Sequence, residues 1–376
     1  MTDVPIREDH ALPSGRTFRF GFVMEQQAGM RTQYLNWRSV VQSEPNVDAI
    51  FVPITYYENG GWIERMRFLP YQVRAIWRGN LQMKRGLGGT AYDAVLFNTH
   101  IPAVYYPPAV RRYRAFLMFD VTPCQYDAMA RWYRPGQRRY RDGAIARWRE
   151  RRIRHTFQAA VGLFPWSRWA AQSVIEDYGA DPERVFILPP GVDTDLWHPD
   201  PQQKPNDGVV RMLFTGGNFE RKGGDLLLRW ARETRRRNWE LHMVTLDQAD
   251  APAGVFIHNG VQNNSGQLIR LAQQCDLFVL PTRADCFSIA SLEAMAAGLP
   301  VIVSDVGGIA DIVEDGESGY LIPVDDYEAL HDRLEYLLDR PDLCRQMGQR
   351  GRAIVQQRFR LADQVRRGLR IMAEHC

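Results

Sequence analysis

Two carboxylates and two adjacent cations in the C-terminal half are the residues of this sequence best placed to do chemistry. The run PTRADCFSIASLEAMAAGLPVIVSD, residues 281–305, reads as a strand ending near Pro281, a polar loop, a helix from about Ser288 to Ala297, and a further strand. Gly298 can end that helix and Pro300 stops it from continuing. Main-chain amides around Phe287, Ser288 and Ile289 open the helix; with the helix dipole they suit a diphosphate. Asp285 stands in the loop, and Glu293 lies eight positions later on the helix. A carboxylate accepts two hydroxyl hydrogen bonds at once, so the pair suits the vicinal diols of a ribose and of a sugar ring. Taken alone, the same two residues could be a helix cap and a solvated helix residue.

The second cluster is LFTGGNFERKGGDLLL, residues 213–228. A strand ends in Gly216-Gly217, and Arg221 and Lys222 stand just before Gly223-Gly224 and a new helix. Glycines admit close backbone approach, and two cations can neutralise a diphosphate leaving group. No GxxxxGK[ST] pattern is present. In the N-terminal half, His100 and Asp120 end strands, where site residues concentrate. Gly29 follows the first strand without a GxGxxG pattern, so a dinucleotide is not expected. Its loop, EQQAGMRT, with Thr122, instead suits approach to a donor phosphate or an acceptor.

These residues need a scaffold, and the pattern supplies one. Strands are expected at 17–24, 48–56, 92–100, 114–123, 159–167 and 185–193. Helices are expected near 31–42, over 64–86, and through an Arg-rich stretch reaching about 155. Residues 197–208, WHPDPQQKPNDG, read as a linker. A second alternating series then runs through VRMLFTGG, ELHMVT, GVFIHNG, CDLFVLPT, PVIVSDVGG and SGYLIP, and 326–376 is mostly helical. Strand–helix alternation in both halves predicts an α/β fold of two doubly wound parallel sheets. Ligands in such sheets sit beyond the carboxyl ends of the strands, where both clusters fall.

Length and composition agree. The chain has 376 residues, enough for two domains, with 45% hydrophobic and 24% charged residues. No apolar run is long enough to cross a bilayer, and the opening MTDVPIREDH, acidic and without an apolar core, is not expected to be a secretory leader. Five scattered cysteines without a CxxC pair point to a reducing, cytoplasmic setting. The net charge of +3 divides unevenly: residues 1–188 hold 26 basic and 17 acidic side chains (+9), and the remainder 21 and 27 (−6). Ten arginines lie in 131–154 with Trp132, Tyr133, Tyr140 and Trp148. That block is either a solvated helix pair or a contact for an anionic membrane surface. No recognition motif supports nucleic acid.

The two clusters, with LEAMAAGLPVIVSDVGGIADIVEDGESGYLI (292–322) and SRWAAQSVIEDYGADPERVFILPPGVDTDLW (167–197), resemble the retaining GT-B glycosyltransferases of family four, the group-one type. The resemblance covers about the last three-fifths of the chain; the first 155 residues match in layout. It implies two Rossmann-like domains facing across a cleft: residues 1–198 for the acceptor and 199–355 for the nucleotide sugar, with a helix at about 356–376 packing back on the first. It implies transfer of a hexose from a UDP- or GDP-linked donor to an acceptor hydroxyl of a lipid or glycan, with retention through a front-face displacement. The donor is a substrate; no cofactor and no metal are implied.

The family's Lys-Gly falls on Lys222-Gly223 and its two acids on Asp285 and Glu293, with donor contacts implied at Gly216, Gly217, Cys286, Phe287, Ser288, Ile289 and Val261. The family's first acid is usually Glu, one methylene longer than Asp285. Its arginine after the turn glycine is Gly217 here, with Arg221 the candidate to replace the charge. Its His-Asp pair aligns with Phe119-Asp120, which leaves His100 as the candidate imidazole. Asp193-Thr194-Asp195 has the DxD form of metal-dependent glycosyltransferases, but its place in PGVDTDLW reads as an interdomain turn. A catalytically idle scaffold is the reading from another class; a pyridoxal-phosphate phosphorylase lacks its lysine motif.

Overall fold

The computed structural model describes residues 12–13, 15–26, 29–133 and 143–376. They divide into two compact units. The first takes residues 15–127 and 143–191 together with Leu361–Cys376; the second takes Val192–Arg360 and the segment from Ala128 to Tyr133.

Unit 1 contains β1 (Phe18–Glu25), α1 (Gly29–Val41), β2 (Val47–Ile54), α2 (Tyr71–Leu87), β3 (Ala94–Phe97), α3 (Ile101–Tyr105), α4 (Pro107–Arg112), β4 (Ala115–Phe119), α5 (Pro123–Ala128), whose last residue groups with unit 2, and, beyond a short helix α6 (Ala130–Tyr133) that also groups with unit 2, α7 (Ala144–Ala159), β5 (Gly162–Pro165) and α8 (Arg168–Glu176). All its strands pair in parallel, in the order β2-β1-β3-β4-β5. The inner strands AVLF and AFLMF are apolar throughout and wholly buried, as strands covered on both faces must be. The order reverses between β1 and β3, so the ligand crevice of this sheet lies beyond Glu25 and His100.

Unit 2 contains β6 (Val210–Thr215), α9 (Gly224–Glu233), β7 (Trp239–Val244), β8 (Val255–His258), α10 (Gly266–Gln274), β9 (Leu277–Leu280), α11 (Ile289–Ala296), β10 (Val301–Ser304), β11 (Gly319–Ile322), α12 (Tyr327–Leu338) and α13 (Pro341–Arg358). Its six strands are parallel in the order β11-β10-β9-β6-β7-β8. Here the order reverses between β6 and β9, and a ligand belongs beyond their carboxyl ends.

The last helix, α14 (Leu361–Glu374), packs on unit 1. Leu361, Val365, Leu369 and Met372 fall on one face and are buried. Gly368 admits the Trp37 ring, which a Cβ would approach to 2.7 Å, and Arg366 Nε donates to Glu44 at 2.8 Å. The exchange points lie at 191/192 and 360/361 rather than at 198 and 355.

Two expected elements are corrected. Residues 64–70 are not helical: α2 starts at Tyr71, after Pro70. Arg78 of α2 is buried and pairs with both Glu58 and Glu64, and these contacts hold the β2–α2 segment as a loop. Residues 185–193 form no strand; only the isolated bridges Leu163–Val185 and Val192–Arg360 pair there. Pro189 and Pro190 have no amide hydrogen for a ladder.

Candidate functional site

The loop after β6 is built around its glycines. The Gly216 amide donates to the Val244 carbonyl at 2.9 Å, and a Cβ there would come within 2.7 Å of Lys222 Cβ. Gly223 has φ +77°, and a Cβ on it would reach the Pro281 carbonyl at 2.0 Å. Only glycine lets this loop close on the end of β9. The closure is cross-linked: the Arg221 carbonyl accepts from the Arg283 amide at 2.8 Å and from Thr282 Oγ1 at 3.3 Å.

This approach brings the two sequence clusters together. Lys222 Nζ pairs with the Asp285 carboxylate, both side chains being largely buried. Arg221 Nη1 donates to the Ala284 carbonyl at 2.7 Å, so its guanidinium lies beside the Asp285 loop. Of the two carboxylates and two cations singled out in the sequence, Asp285, Lys222 and Arg221 therefore meet at the point where the strand order of unit 2 reverses.

Beyond them α11 begins. Ser288 is its N-cap, accepting from the Ser291 amide at 3.2 Å and lying 2.7 Å from Ser291 Oγ. The amides of Ser288, Ile289 and Ala290 donate to no group among the described residues. Phe287 and Cys286 are buried in the preceding loop. Glu293 is half-buried on α11, without an ion-pair or hydrogen-bond partner for its carboxyl among the described residues. Burial pushes its carboxyl up to about 8. A carboxyl in that condition is open to a pair of ligand hydroxyls. Gly217 is exposed in the loop after β6. Val261 lies in the loop after edge strand β8, which stands two strands from β6.

Sequence reasoning missed two contributors. Gly307, in the loop after β10, has φ +62°, and a Cβ there would meet the Asp285 carbonyl at 2.1 Å; its neighbour Gly308 donates to the Cys286 carbonyl at 2.9 Å. These residues fix the Asp285 loop from behind. The other is Tyr133 on α6, whose ring centroid is 4.6 Å from the Arg221 guanidinium carbon. Two aromatics of the expected basic surface thus pack on unit 2, since Trp132 lies 5.3 Å from the Arg283 guanidinium carbon. Arg134, Arg138, Arg139, Tyr140 and Arg141 of that block lie outside the described residues.

In unit 1, His100 stands at the N-cap position of α3, just beyond β3, and its side chain makes no capping hydrogen bond. Burial, helped by the charge of Arg149, lowers its pKa to about 4, so the ring is neutral near pH 7. Its Nδ1 is buried and has no hydrogen-bond partner among the described residues. Asp120 follows β4 and is half-buried. Thr122 faces inward, with Oγ1 2.6 Å from Ser173 Oγ, and so shapes its loop from inside. Gly29 is the first residue of α1. Sequence reasoning also passed over Glu25. It ends β1, buried, and its carboxylate accepts from Tyr56, a residue in the left-handed region at φ +57°. Asp193 accepts from the amides of Asp195 and Leu196 at 3.0 and 3.2 Å, which makes it a turn-former. Among the described residues no group of three or more His, Cys, Asp or Glu could hold a metal ion.

Comparison with known proteins matches residues 199–354 to the family of glycosyl transferases group 1. A curated relative, the MMP alpha-(1->4)-mannosyltransferase of Mycolicibacterium hassiacum, is 30% identical over 204 residues, covering 50% of this chain and 48% of the relative. The chain thus spans about half the length of the curated relatives it matches. Among solved structures, the sucrose-phosphate synthase of Thermosynechococcus elongatus superposes with a TM-score of 0.72 at 16% identity, over 92% of this chain and 96% of that one. Anabaena HepE in complex with UDP and glucose gives 0.66 at 13% identity, over 95% and 100%. At such identities the likeness speaks to fold alone. Residues 199–354 are a glycosyl transferase group 1 domain, within a chain of two Rossmann-like units of the GT-B fold.

Proposed function

We propose that the protein transfers a hexose from a nucleoside-diphosphate sugar, UDP- or GDP-linked, to an acceptor hydroxyl, with retention and without a metal. The observation that carries this reading is the Lys222–Asp285 pair at the strand-order reversal of unit 2, with Arg221 beside it and the free amides of α11 beyond. Cations and amide dipoles aimed at one place stabilise a departing diphosphate. Glu293 takes a diol of the donor. The bond from the sugar carbon to the diphosphate oxygen breaks, the acceptor oxygen bonds to the same face of that carbon, and its proton passes to the leaving phosphate. No protein nucleophile is needed. The curated relative named above is a mannosyltransferase, and HepE binds UDP and glucose, in keeping with this donor class.

The test is turnover of UDP-, GDP- and ADP-sugars with and without an acceptor mixture, in excess chelator. Release of the nucleoside diphosphate from one donor supports the reading. Turnover lost to chelator and restored by Mg²⁺ or Mn²⁺ removes the metal-independent part. No turnover of any donor, with binding retained, favours an idle sugar-binding protein.

One observation supports an acceptor presented at an anionic membrane surface. The β2–α2 loop and the start of α2 expose Tyr57, Trp62, Phe68, Tyr71 and Trp77, Phe68 being 80% exposed, among Arg65, Arg67 and Arg74. Aromatics with arginines suit a headgroup interface. No helix among the described residues is long and apolar enough to cross a membrane. Salt-sensitive co-sedimentation with anionic vesicles, lost on Phe68→Ser/Trp62→Ser, is the expected result; equal sedimentation of both proteins contradicts it.

A further inference from the structure

Arg221 holds the position from which it could neutralise a diphosphate through contacts that reach back into the N-terminal half of the sequence. Two groups take its guanidinium. The Ala284 carbonyl accepts from Nη1 at 2.7 Å, and the Tyr133 hydroxyl lies 3.4 Å from the same nitrogen. The Tyr133 ring also lies beneath the cation, 4.6 Å from its central carbon. The phenol has a further neighbour, Cys286 Sγ, at 3.6 Å. The hydroxyl can thus accept from Arg221 while donating toward the sulfur of the Asp285 loop.

A cation held by a ring face, a phenol and a carbonyl keeps its remaining guanidinium N–H groups for a ligand. None of its contacts among the described residues is a carboxylate, which leaves its charge available to an anionic ligand. This contrasts with Lys222, paired with Asp285, and with Arg283, which donates to Asp225 at 2.5 and 2.7 Å. Burial, with the thiol of Cys286 and the charge of Asp285, also raises the Tyr133 pKa, so the phenol stays protonated and adds no negative charge beside a diphosphate.

We propose that Tyr133 is a positioning residue of the donor site, which fixes the Arg221 guanidinium in the orientation that receives the diphosphate. The proposal rests on the nucleotide-sugar reading above. It makes α6 part of the donor site, although it stands outside the group 1 domain in sequence.

The test is calorimetry on the full chain with UDP, GDP and inorganic pyrophosphate, using wild type, Tyr133→Phe, Tyr133→Leu, Arg221→Ala and Tyr133→Leu/Arg221→Ala. Leucine fills the apolar volume without a ring face or hydroxyl. Tyr133→Leu should weaken the best-binding probe about tenfold, as loss of a desolvated cation–π contact and a hydrogen bond to a charged group implies. Tyr133→Phe should lose less. The double variant should bind no more weakly than Arg221→Ala alone, because a positioning residue has nothing left to position; a residue of general structural importance would weaken both backgrounds equally. Unchanged or tightened binding in Tyr133→Leu overturns the proposal, as do effects that multiply in the double variant. If wild type binds no probe, the donor reading fails and this proposal with it. If Tyr133→Leu fails to fold, the comparison of Tyr133→Phe with Tyr133→Phe/Arg221→Ala decides by the same criterion.

Discussion

Lys222 and Asp285, 63 residues apart in sequence, form an ion pair between the loops after β6 and β9. Both side chains are mostly withdrawn from water, so neither charge is stable there without the other. Lys222→Ala should therefore destabilise the fold by about 3–5 kcal/mol, the usual cost of leaving one buried charge unpaired. Adding Asp285→Asn should restore much of that stability but not sugar transfer. Chemical denaturation of the single and double variants checks it; an additive loss would show that the pair is not coupled.

Glu293 gives a pH signature. Its folded carboxyl titrates near 8, against an unperturbed value of 4.5, because burial disfavours the charged form. The folded state therefore holds a proton that the unfolded chain has lost, and stability falls as pH rises from about 4.5 to 8. Glu293→Gln should be the more stable protein at pH 8.5, by on the order of 2 kcal/mol, with the gap closing toward pH 4.5. The same variant should bind nucleoside diphosphates more weakly. Parallel thermal melts and calorimetry test both; a variant less stable than wild type at pH 8.5 would contradict the assignment.

Much of this arrangement was legible in the sequence because it is written locally. Apolar runs such as AFLMF mark central strands, and the glycine–cation and acid–helix runs mark the two loops. The Tyr133–Arg221 contact spans 88 residues and leaves no periodic trace. Gly307 matters because a backbone carbonyl from another loop passes 2.1 Å from where its Cβ would be, a constraint invisible without the fold. Residues 64–70 carry a helix-like alternation, but Pro70 and the pull of buried Arg78 on Glu58 and Glu64 hold them as a loop. Tyr56 and Glu25 meet only because β1 and β2 are neighbours.

Gly307→Ala should act on the donor site from a distance. The side chain would have to displace the Asp285 carbonyl, and the positive φ disfavours any L-residue. A loss of about 1–3 kcal/mol is expected, together with weaker nucleotide binding. Thermal shift with and without UDP or GDP reads both effects. Wild-type affinity in a folded Gly307→Ala protein would show that the Asp285 loop does not depend on this contact.

His100 should give the opposite pH trend to Glu293. Its folded pKa is about 4 against an ordinary 6.5, so its contribution is complete above 6.5 and lost as pH falls toward 4. His100→Asn should flatten the stability profile across that window, by up to roughly 2–3 kcal/mol at its acid end. Urea midpoints of the two proteins between pH 4 and 7.5 test this. Parallel profiles would mean that His100 is not buried as a neutral ring.

The most direct test of the account is titration of the full chain with UDP and GDP, comparing wild type with Lys222→Ala and Glu293→Ala. The account predicts that wild type binds at least one of them. Glu293→Ala should lose about 1–3 kcal/mol of that binding through loss of the two hydrogen bonds its carboxyl makes to a donor diol, and folded Lys222→Ala should lose at least as much. A wild-type protein that binds neither nucleotide, or variants that bind as wild type does, would contradict the claim that the loops after β6 and β9 form a nucleotide-sugar site.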